Sequence, residues 1–485
     1  MLEQESEWSG DQMKPNALFG TLVCLFFGIG YLYTYQEFSV DGAEYFLYTL
    51  LSLCCCEVLL WRLNRSIGAT LPIWILLAIF GVGYFLQFFL LVLDPTSTGQ
   101  IVVTQTVGVA TLLRVYRTTV LSFSAFCITS YVLLGQNRRA RSAQAPQELR
   151  IEEAKSLARL LLFIIPSLEV VLGYVSWSTQ IAVLGAEMVT LPFRLAGVVY
   201  YMRATILPAL ILLLIWTTDR YHLRKSFNAG IVLLLFYGVS ETLLRSSRSS
   251  LLFALLGLIF LLTVTCRLTR RRLQVLLGGV FVALLLFPIV TAYRYARAAS
   301  DSFSIVSAIR EGLVAVPDTD VTGDILSVTG HTLIFRVTGL DSLLEIVDSD
   351  IRPLGLFHMF DVTAVFNAEI MNLPPDSVTS TAPSLVGWFY LVGGNMFVLV
   401  GIVAFVIGVQ FVWNALRFAQ FWSHSVAQAL FLLLLVYACS DGVLDRMGWL
   451  VFMTGVSLTF AELLIRWSVR RSRFSRRLRS RELTA

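Results

Sequence analysis

Long apolar runs follow one another along the whole chain, separated by short polar or charged stretches. Each run has about 18 to 24 residues, and a helix of that length crosses the roughly 30 Å hydrocarbon core of a bilayer. Barrel-type alternation of polar and apolar residues is absent, so these segments are expected to be helices that satisfy their own backbone groups in lipid. The runs lie near 15–35, 44–61, 72–93, 118–135, 159–176, 200–217, 228–244, 249–266, 273–292, 385–415, 424–440 and 447–466. The pattern predicts an all-α polytopic membrane protein with about twelve transmembrane helices.

Composition supports this class. The chain has 485 residues, of which 56% are hydrophobic and 14% are charged, and its mean hydropathy is +0.74. A soluble domain carries roughly a quarter charged residues. These values exclude a water-soluble fold.

Arginines in the short loops predict the orientation. They concentrate in alternate loops, at 62–65, 138–141, 220–224, 267–272 and 417, and again in the tail at 466–481. Cytoplasmic loops carry this excess of positive charge, so the pattern predicts that both termini are cytoplasmic. The net charge of +5 reflects these loops. The sequence has no basic stretch interleaved with aromatic residues, so it gives no reason to predict nucleic-acid binding.

The predicted layout therefore has four parts: transmembrane helices 1 to 9 in residues 1–292, an external loop at 293–384, transmembrane helices 10 to 12 in 385–466, and a basic cytoplasmic tail at 467–485. Residues 302–313 and 357–372 of the loop have amphipathic patterns. Ser342 followed by Glu345 is a capping-box pattern that starts a helix. The loop is expected to form a cap of short helices that carries part of the active site.

Arginine also occurs at predicted external helix ends, where the positive-inside rule disfavours it. A guanidinium group binds phosphate oxygens through two parallel hydrogen bonds and keeps its charge at any biological pH. The arrangement indicates that an external anion is bound, although contacts to lipid headgroups or a coding bias toward arginine also explain single positions. The arginines concerned are Arg114, Arg117, Arg194, Arg203, Arg245, Arg248, Arg294, Arg297 and Arg336.

Two arginine pairs are spaced to act together. Arg245 with Arg248, and Arg294 with Arg297, are three residues apart and would share a helix face. Each pair is predicted to bind one diphosphate. Glu241 lies four residues before Arg245, so an ordinary ion pair within the helix is an equally good interpretation of that carboxylate.

The candidate catalytic bases lie in the external loop. His331 is one candidate and Asp341 is the other, with a packed loop histidine and helix capping as their structural alternatives. Asp318-Thr-Asp320 and Asp348-Ser-Asp350 spell a metal-binding tripeptide found in some glycosyltransferases. Because the arginines already supply positive charge for a diphosphate, we predict that no metal and no cofactor is used.

Three stretches of the chain are similar to the sequence motifs of one family of membrane enzymes. The first is Leu244-Arg-Ser-Ser-Arg-Ser-Ser-Leu-Leu at the start of a span. The second is the external loop with Phe335-Arg-Val-Thr-Gly-Leu-Asp-Ser-Leu inside it. The third is Pro383-Ser-Leu-Val-Gly-Trp-Phe-Tyr-Leu-Val-Gly-Gly, where the chain re-enters the bilayer. Arg203 ahead of Pro208 is a weaker match. In these motifs the chain resembles the Wzy-type oligosaccharide repeat unit polymerases, which are related to the O-antigen ligases.

This resemblance implies a membrane fold of the glycosyltransferase C type in a bacterial inner membrane. It implies that undecaprenyl-diphosphate-linked oligosaccharide units are joined on the outer face of that membrane. Membrane lipids, a chain-length regulator and a flippase are the implied partners. Arg245, Arg248, Arg294, Arg297 and Arg336 would stabilise the departing diphosphate, Arg194 and Arg203 would hold the second lipid-linked substrate, and His331 or Asp341 would activate the acceptor hydroxyl.

Three other functions remain open from the sequence. A ligase of the same class would transfer finished glycan to a lipid acceptor. A twelve-span transporter of an anionic or lipid-linked substrate would place polar residues at mid-membrane, where Glu57, Gln87 and Glu169 are the candidates. A scaffold or receptor would lack catalysis altogether.

Overall fold

The computed structural model describes residues 42–63, 67–88, 109–136, 149–179, 181, 195–245, 250–285, 290, 340–349, 351, 353–372, 383–419, 421–441 and 444–482. Within these residues the regular structure is helical and contains no strand. The fold class predicted from the apolar runs is therefore confirmed at the level of an all-helical protein.

The helices are named here in chain order. They are α1 (Gly42–Leu63), α2 (Ile67–Phe80, continued as a π-helix over Gly81–Leu86), α3 (Val109–Gln136), α4 (Ile151–Thr179), α5 (Leu195–Arg220), α6 (Arg224–Arg245), α7 (Ser250–Val264), α8 (Arg270–Leu285), α9 (Leu340–Asp348), α10 (Val362–Val365, continued as a π-helix over Phe366–Ile370), α11 (Leu385–Arg417), α12 (His424–Asp441) and α13 (Leu444–Glu482).

Six helices in the described part of the chain are long and apolar enough to cross a membrane. They are Thr111–Gly135, Ile151–Thr179, Leu195–Arg220, Arg224–Arg245, Leu385–Arg417 and Gly448–Arg471. Shorter apolar helices occupy Leu50–Leu60, Thr70–Leu86, Ser250–Val264 and His424–Cys439. Each predicted span from 44–61 onward overlaps a helix in its described residues, whereas the predicted span at 15–35 lies outside the described residues.

Helix α4 shows why these helices belong in a membrane. Its inward stripe recurs every three or four residues and includes Leu157, Leu161, Ile165 and Glu169. The opposite face exposes large apolar side chains such as Phe163, at 74%. A broad exposed apolar face on a long helix is typical of contact with lipid.

Helix α5 lies at the centre of one of two packed clusters. Every residue from Leu207 to Thr218 is buried, which is the pattern of a helix that is surrounded on all sides. The cluster around α5 draws on α4, α6, α7, α8, α12 and α13. The other cluster joins α1, α2, α3, α9, α10 and α11.

The end of α5, the loop after α7 and the start of α4 meet at one end of the bundle. Arg267 donates to the Asp219 carboxylate at 3.0 Å, and Arg272 donates to the same carboxylate at 2.9 Å. The Tyr221 hydroxyl accepts a hydrogen bond from the Leu149 backbone at 2.8 Å. The arginine-rich loops at 220–224 and 267–272 therefore share one side, as the alternation along the chain predicts.

Helix α11 is broken near its start. Ser384 has a φ of 61°, and its hydroxyl caps the helix by accepting from the Gly387 backbone at 3.2 Å. The helical path is interrupted at Gly393 and Gly394, and Gly394 has a φ of 64°. The carbonyls of residues 391 and 392 accept from the backbone of Leu354 and Gly355 at 2.8 and 2.9 Å, so a loop segment satisfies the interrupted end.

Short helices occur in the predicted external loop. Helix α9 confirms the helix expected around Ser342, but it begins at Leu340, so Ser342 is a buried residue within the first turn. A short 3₁₀ turn at Leu356–His358 and helix α10 fall in the predicted amphipathic stretch at 357–372. The other predicted amphipathic stretch, 302–313, lies outside the described residues. At the C-terminus, α13 continues through the predicted tail boundary as one helix.

Candidate functional site

Of the seven arginines that the resemblance assigns to the lipid-linked substrates, two have described side chains, and the structure brings these two into one network. These are Arg203 on α5 and Arg245 at the end of α6. The backbone of Asp341 lies in α9, and its side chain is not described. Arg194, Arg248, Arg294, Arg297, His331 and Arg336 lie outside the described residues, so their roles stay predictions.

Arg203 lies in a π-helical segment, Met202–Ile206, within α5. The backbone N–H of Leu207 donates to the Met202 carbonyl, five residues back. The next residue, Pro208, has no N–H to donate. Both facts leave the Arg203 carbonyl without a helical partner, and the Tyr237 hydroxyl donates to it at 3.1 Å. Single-turn π-helical segments within α-helices occur frequently at functional sites.

The Arg203 side chain binds two carboxylates from neighbouring helices. Its Nη2 lies 3.0 Å from Glu169 Oε1 on α4, and its Nε donates to Glu241 on α6. Ser240 connects the same groups, because its hydroxyl donates to Glu169 and accepts from Arg203 at 3.2 Å. Arg203 is 3% exposed, so this is a buried ion cluster. A buried charge of this kind is tolerated when it is paired and hydrogen-bonded.

Arg245 extends the cluster toward the end of α6. Its Nη1 lies 3.6 Å from Glu241 Oε2, so the ion pair within the helix that the four-residue spacing suggested is present. Its guanidinium lies 4.8 Å from the centre of the Tyr200 ring and donates to the Tyr200 hydroxyl at 3.4 Å. Glu241 therefore bridges the two arginines, of which Arg203 is buried and Arg245 is partly exposed.

The cluster has two arginines and two glutamates, so its formal charges balance. Three of its buried atoms nevertheless have no hydrogen-bond partner among the described residues: Glu169 Oε2, Arg203 Nη1 and Arg245 Nε. Unsatisfied buried polar atoms are rare in folded proteins and require an explanation. A bound water or ligand group is the simplest partner for them.

A cavity opens beside Glu241 and Arg245, between α5, α6, α7, α12 and α13. Its volume is about 130 Å³. Most of its wall is apolar, and the polar groups gather around Arg245, Glu241, Tyr200 and Tyr237. An apolar cavity of about 150 Å³ is large enough to bind benzene. The arrangement can therefore hold a small hydrocarbon segment with an anionic group beside Arg245.

A second cluster of polar residues lies where α3, α9 and α11 meet. Thr111 donates to Asp348 at 3.0 Å, and Thr118 donates to Asn395 at 2.7 Å, directly after the break in α11. Partial burial and the nearby Asp348 charge raise the pKa of Glu345 to about 7.

No group of three or more metal-ligating side chains is present in the residues that the structure describes.

The sequence identified Arg203, Arg245 and Glu241 and suggested the Glu241–Arg245 ion pair, but it did not connect Arg203 with either of them. Glu169 was considered as a mid-membrane polar residue of a transporter, and the contribution of Tyr237 was missed. The spacing of Glu169 within the inward stripe of α4 places it on the buried face, and this signal could have been read. No comparable sequence pattern predicts the π-helical segment, whose geometry directs Arg203 to both glutamates.

The chain matches no protein-family model, no curated protein and no solved structure.

Proposed function

We propose that this protein is a polymerase that joins undecaprenyl-diphosphate-linked oligosaccharide units on the outer face of a bacterial inner membrane. In this proposal the chain has about twelve transmembrane helices in a glycosyltransferase C-type arrangement. The growing chain leaves its diphosphate carrier and is transferred to the sugar of another lipid-linked unit. The bond between the sugar and the diphosphate breaks, a glycosidic bond forms, and the acceptor hydroxyl gives up its proton.

One observation carries the proposal: Arg245 lies at the polar end of an apolar cavity between membrane-spanning helices. A polyprenyl diphosphate combines a dianionic head with a hydrocarbon chain. A guanidinium group suits the head, because it forms charge-assisted hydrogen bonds to phosphate oxygens. The cavity volume of about 130 Å³ suits one prenyl unit next to the diphosphate, and the rest of the chain would lie in lipid.

Glu241 gives the buried cluster a role in this chemistry. Because it contacts both Arg203 and Arg245, the buried ion pair fixes the carboxylate that positions the Arg245 guanidinium. Arg203 acts in this account as a positioning residue, since its own charge is taken up by two glutamates. Arg194, Arg248, Arg294, Arg297 and Arg336 are proposed to complete the diphosphate sites, with His331 or Asp341 as the base.

The experiment is a gel profile of surface polysaccharide from the host bacterium after deletion of the gene. Deletion is expected to collapse the ladder to single repeat units. Wild type and Arg159→Gln should restore the ladder, because Arg159 is an exposed arginine on α4 that does not line the cavity. Arg245→Gln and Arg294→Ala should not restore it. An unchanged ladder in the deletion strain rejects the proposal for that glycan, and full-length polymer retained on its carrier indicates a ligase.

A transporter is the second candidate function, and two observations favour it. Glu169, Arg203 and Glu241 form an ion cluster inside the helix bundle, and α11 is discontinuous at Gly393 and Gly394. Transporters place charged residues and broken helices at their substrate sites. In a transporter, deletion would leave lipid-linked units on the inner leaflet, whereas loss of a polymerase leaves single units exposed on the outer leaflet.

A further inference from the structure

An exposed apolar turn lies between α9 and α10, at residues 355–361, and is called the aromatic turn here. It contains the short 3₁₀ segment Leu356–His358. Phe357 is 97% exposed and Phe360 is 68% exposed, and Leu356 beside them is exposed as well. A cluster of exposed large apolar side chains marks a surface that contacts another protein or a membrane.

The aromatic turn has an apolar side and a polar side. Its backbone hydrogen bonds join residues three positions apart, from His358 to Gly355 at 3.2 Å and from Asp361 to His358 at 2.9 Å. Side chains three positions apart eclipse one another in such a turn, so Phe357 and Phe360 share one side. His358 and Asp361 share another, and their exposed side chains lie 3.5 Å apart, from Nδ1 to Oδ2. Amphipathic segments of this kind lie in the plane of a membrane interface.

The fold fixes the position of the aromatic turn relative to α11. Before the turn, the backbone N–H groups of Leu354 and Gly355 donate to the carbonyls of residues 391 and 392 at 2.8 and 2.9 Å. Pro353 Cγ lies 3.9 Å from the position that a Cβ would take at Gly394. After the turn, Val362 and Phe366 are buried in the core that α10 shares with α11. The turn is therefore held at the break in α11.

The length of α11 gives the depth of this break in a membrane. The helix has no further interruption between Gly394 and Arg417, where it ends. These residues are twenty-three positions apart, which corresponds to about 35 Å along a helix. The hydrocarbon core is roughly 30 Å thick. With Arg417 at one boundary of the core, the break and the aromatic turn lie at the other boundary.

The lipid-facing side of α11 begins next to the break. Met396, Val400, Ile407 and Phe411 are exposed, and their spacing places them on one face of the helix. Met396 is the second residue after Gly394, the glycine that Pro353 approaches. The aromatic turn therefore lies beside the end of an apolar helix face that contacts lipid.

We propose that the aromatic turn inserts Leu356, Phe357 and Phe360 into the membrane leaflet opposite Arg417, at the boundary between headgroups and acyl chains. His358 and Asp361 stay among the headgroups and water. The turn then anchors α9 and α10 to the membrane surface. This interaction goes beyond the polymerase proposal, because it needs neither a glycan substrate nor the Arg245 cavity.

The test places the photoreactive analogue p-benzoylphenylalanine at single positions of the full-length chain. Each variant is reconstituted in liposomes of phosphatidylcholine that carries an alkyne in its acyl chain. After illumination, a fluorescent tag coupled to the alkyne measures lipid adducts, and gel mobility measures adducts between protein chains. Positions 357 and 360 are tested in separate variants. Position 411, on the lipid-facing side of α11, is the positive control.

Ser349 is the matched control for a position in water. It is exposed directly after α9, and its neighbour Asp348 accepts a hydrogen bond from Thr111. Thr111 lies seven positions before Thr118, which binds Asn395 beside the break. This end of α9 is therefore about 10 Å farther from the membrane centre than the break is.

We expect lipid adducts at positions 357 and 360 to match those at 411 and to exceed those at 349 by at least about fivefold, because an inserted side chain is surrounded by lipid. Adducts at 357 and 360 no more abundant than at 349 would overturn the proposal and place the turn in water. Adducts to a second copy, or to another part of the same chain, in place of lipid would also overturn it. If the variant at 357 does not fold, the variant at 360 decides the outcome.

Discussion

Arg203 on α5 and Glu241 on α6 form an ion pair inside the helix bundle, with side chains that are 4% and 2% exposed. Removal of one partner of a buried pair leaves an uncompensated charge, which typically destabilises a protein by about 3–5 kcal/mol. Arg203→Gln would leave Glu169 in that state and would leave Glu241 with Arg245 as its remaining partner. The substitution is expected to lower the free energy of unfolding by this amount, measured by denaturation in detergent.

Arg159→Gln on α4 is the control for this prediction. Arg159 is exposed, and substitutions at exposed positions usually change stability by no more than about 0.5 kcal/mol. If Arg203→Gln and Arg159→Gln were equally stable, the buried cluster would not contribute to folding as described.

The hydrogen bond from Tyr237 to the Arg203 carbonyl gives a second prediction. Tyr237→Phe keeps the ring and leaves this carbonyl without its donor, so a loss of about 1–3 kcal/mol is expected. The change in Tm is the measurement. Tyr174→Phe is the matched control, because Tyr174 is 72% exposed and its variant should unfold at the wild-type temperature. A neutral Tyr237→Phe would indicate that another group, such as water, serves the carbonyl.

The third prediction compares the effects of two glycine-to-alanine substitutions in α11, one at the break in the helix and one away from it. Gly394 has a φ of 64° and a ψ of −161°, a region that is essentially limited to glycine. Gly394→Ala is therefore expected to destabilise the protein by about 1–3 kcal/mol. A Cβ at Gly408 would meet nothing within 4 Å, so Gly408→Ala should be neutral or stabilising by about 0.5–1 kcal/mol. Thermal unfolding of both variants checks the contrast, and the reverse order would contradict the described break.

Glu345 gives a pH prediction. Its pKa is raised to about 7 from an ordinary value of 4.5, because of partial burial and the Asp348 charge. The folded protein therefore binds the proton more tightly than the unfolded chain does. The contribution of Glu345 to the stability of the fold is therefore fully present below pH 4.5 and is lost as pH rises through about 7.

Glu345→Gln removes this dependence, so its Tm should exceed that of wild type at pH 8, and the difference should shrink toward pH 5. The exposed Glu369→Gln variant should follow the wild-type profile. A Glu345→Gln profile parallel to that of wild type would show that the carboxyl titrates normally.

Much of the fold could be predicted because apolar length is a strong signal in a membrane protein. The runs at 159–176, 200–217 and 228–244 correspond to α4, α5 and α6, since lipid requires each segment to satisfy its own backbone. Finer features were not predictable in this way. The π-helical segment at Met202–Ile206 is accompanied by a hydrogen bond from Tyr237 on another helix to the Arg203 carbonyl, and the interrupted end of α11 is bound by the distant Leu354 backbone.

Part of the candidate site could also be predicted, from the position and the spacing of its charged residues. Arginine at a predicted external helix end is unusual, so Arg245 could be identified from its position alone. Glu241 was identified from its four-residue spacing. The link from Glu241 to Arg203 and Glu169 crosses three helices, and a single sequence carries no signal for the rotation of one helix against another.

The central claim is that the protein itself elongates lipid-linked oligosaccharide. The most direct measurement reconstitutes the purified protein in liposomes with undecaprenyl-diphosphate-linked repeat units and follows product length. We predict dimers and longer chains with wild type and with Arg159→Gln, and a rate at least about a hundredfold lower with Arg245→Gln, which removes charge stabilisation of the leaving diphosphate. Units that cross the bilayer without elongation, or elongation that is unaffected by Arg245→Gln, would contradict this account.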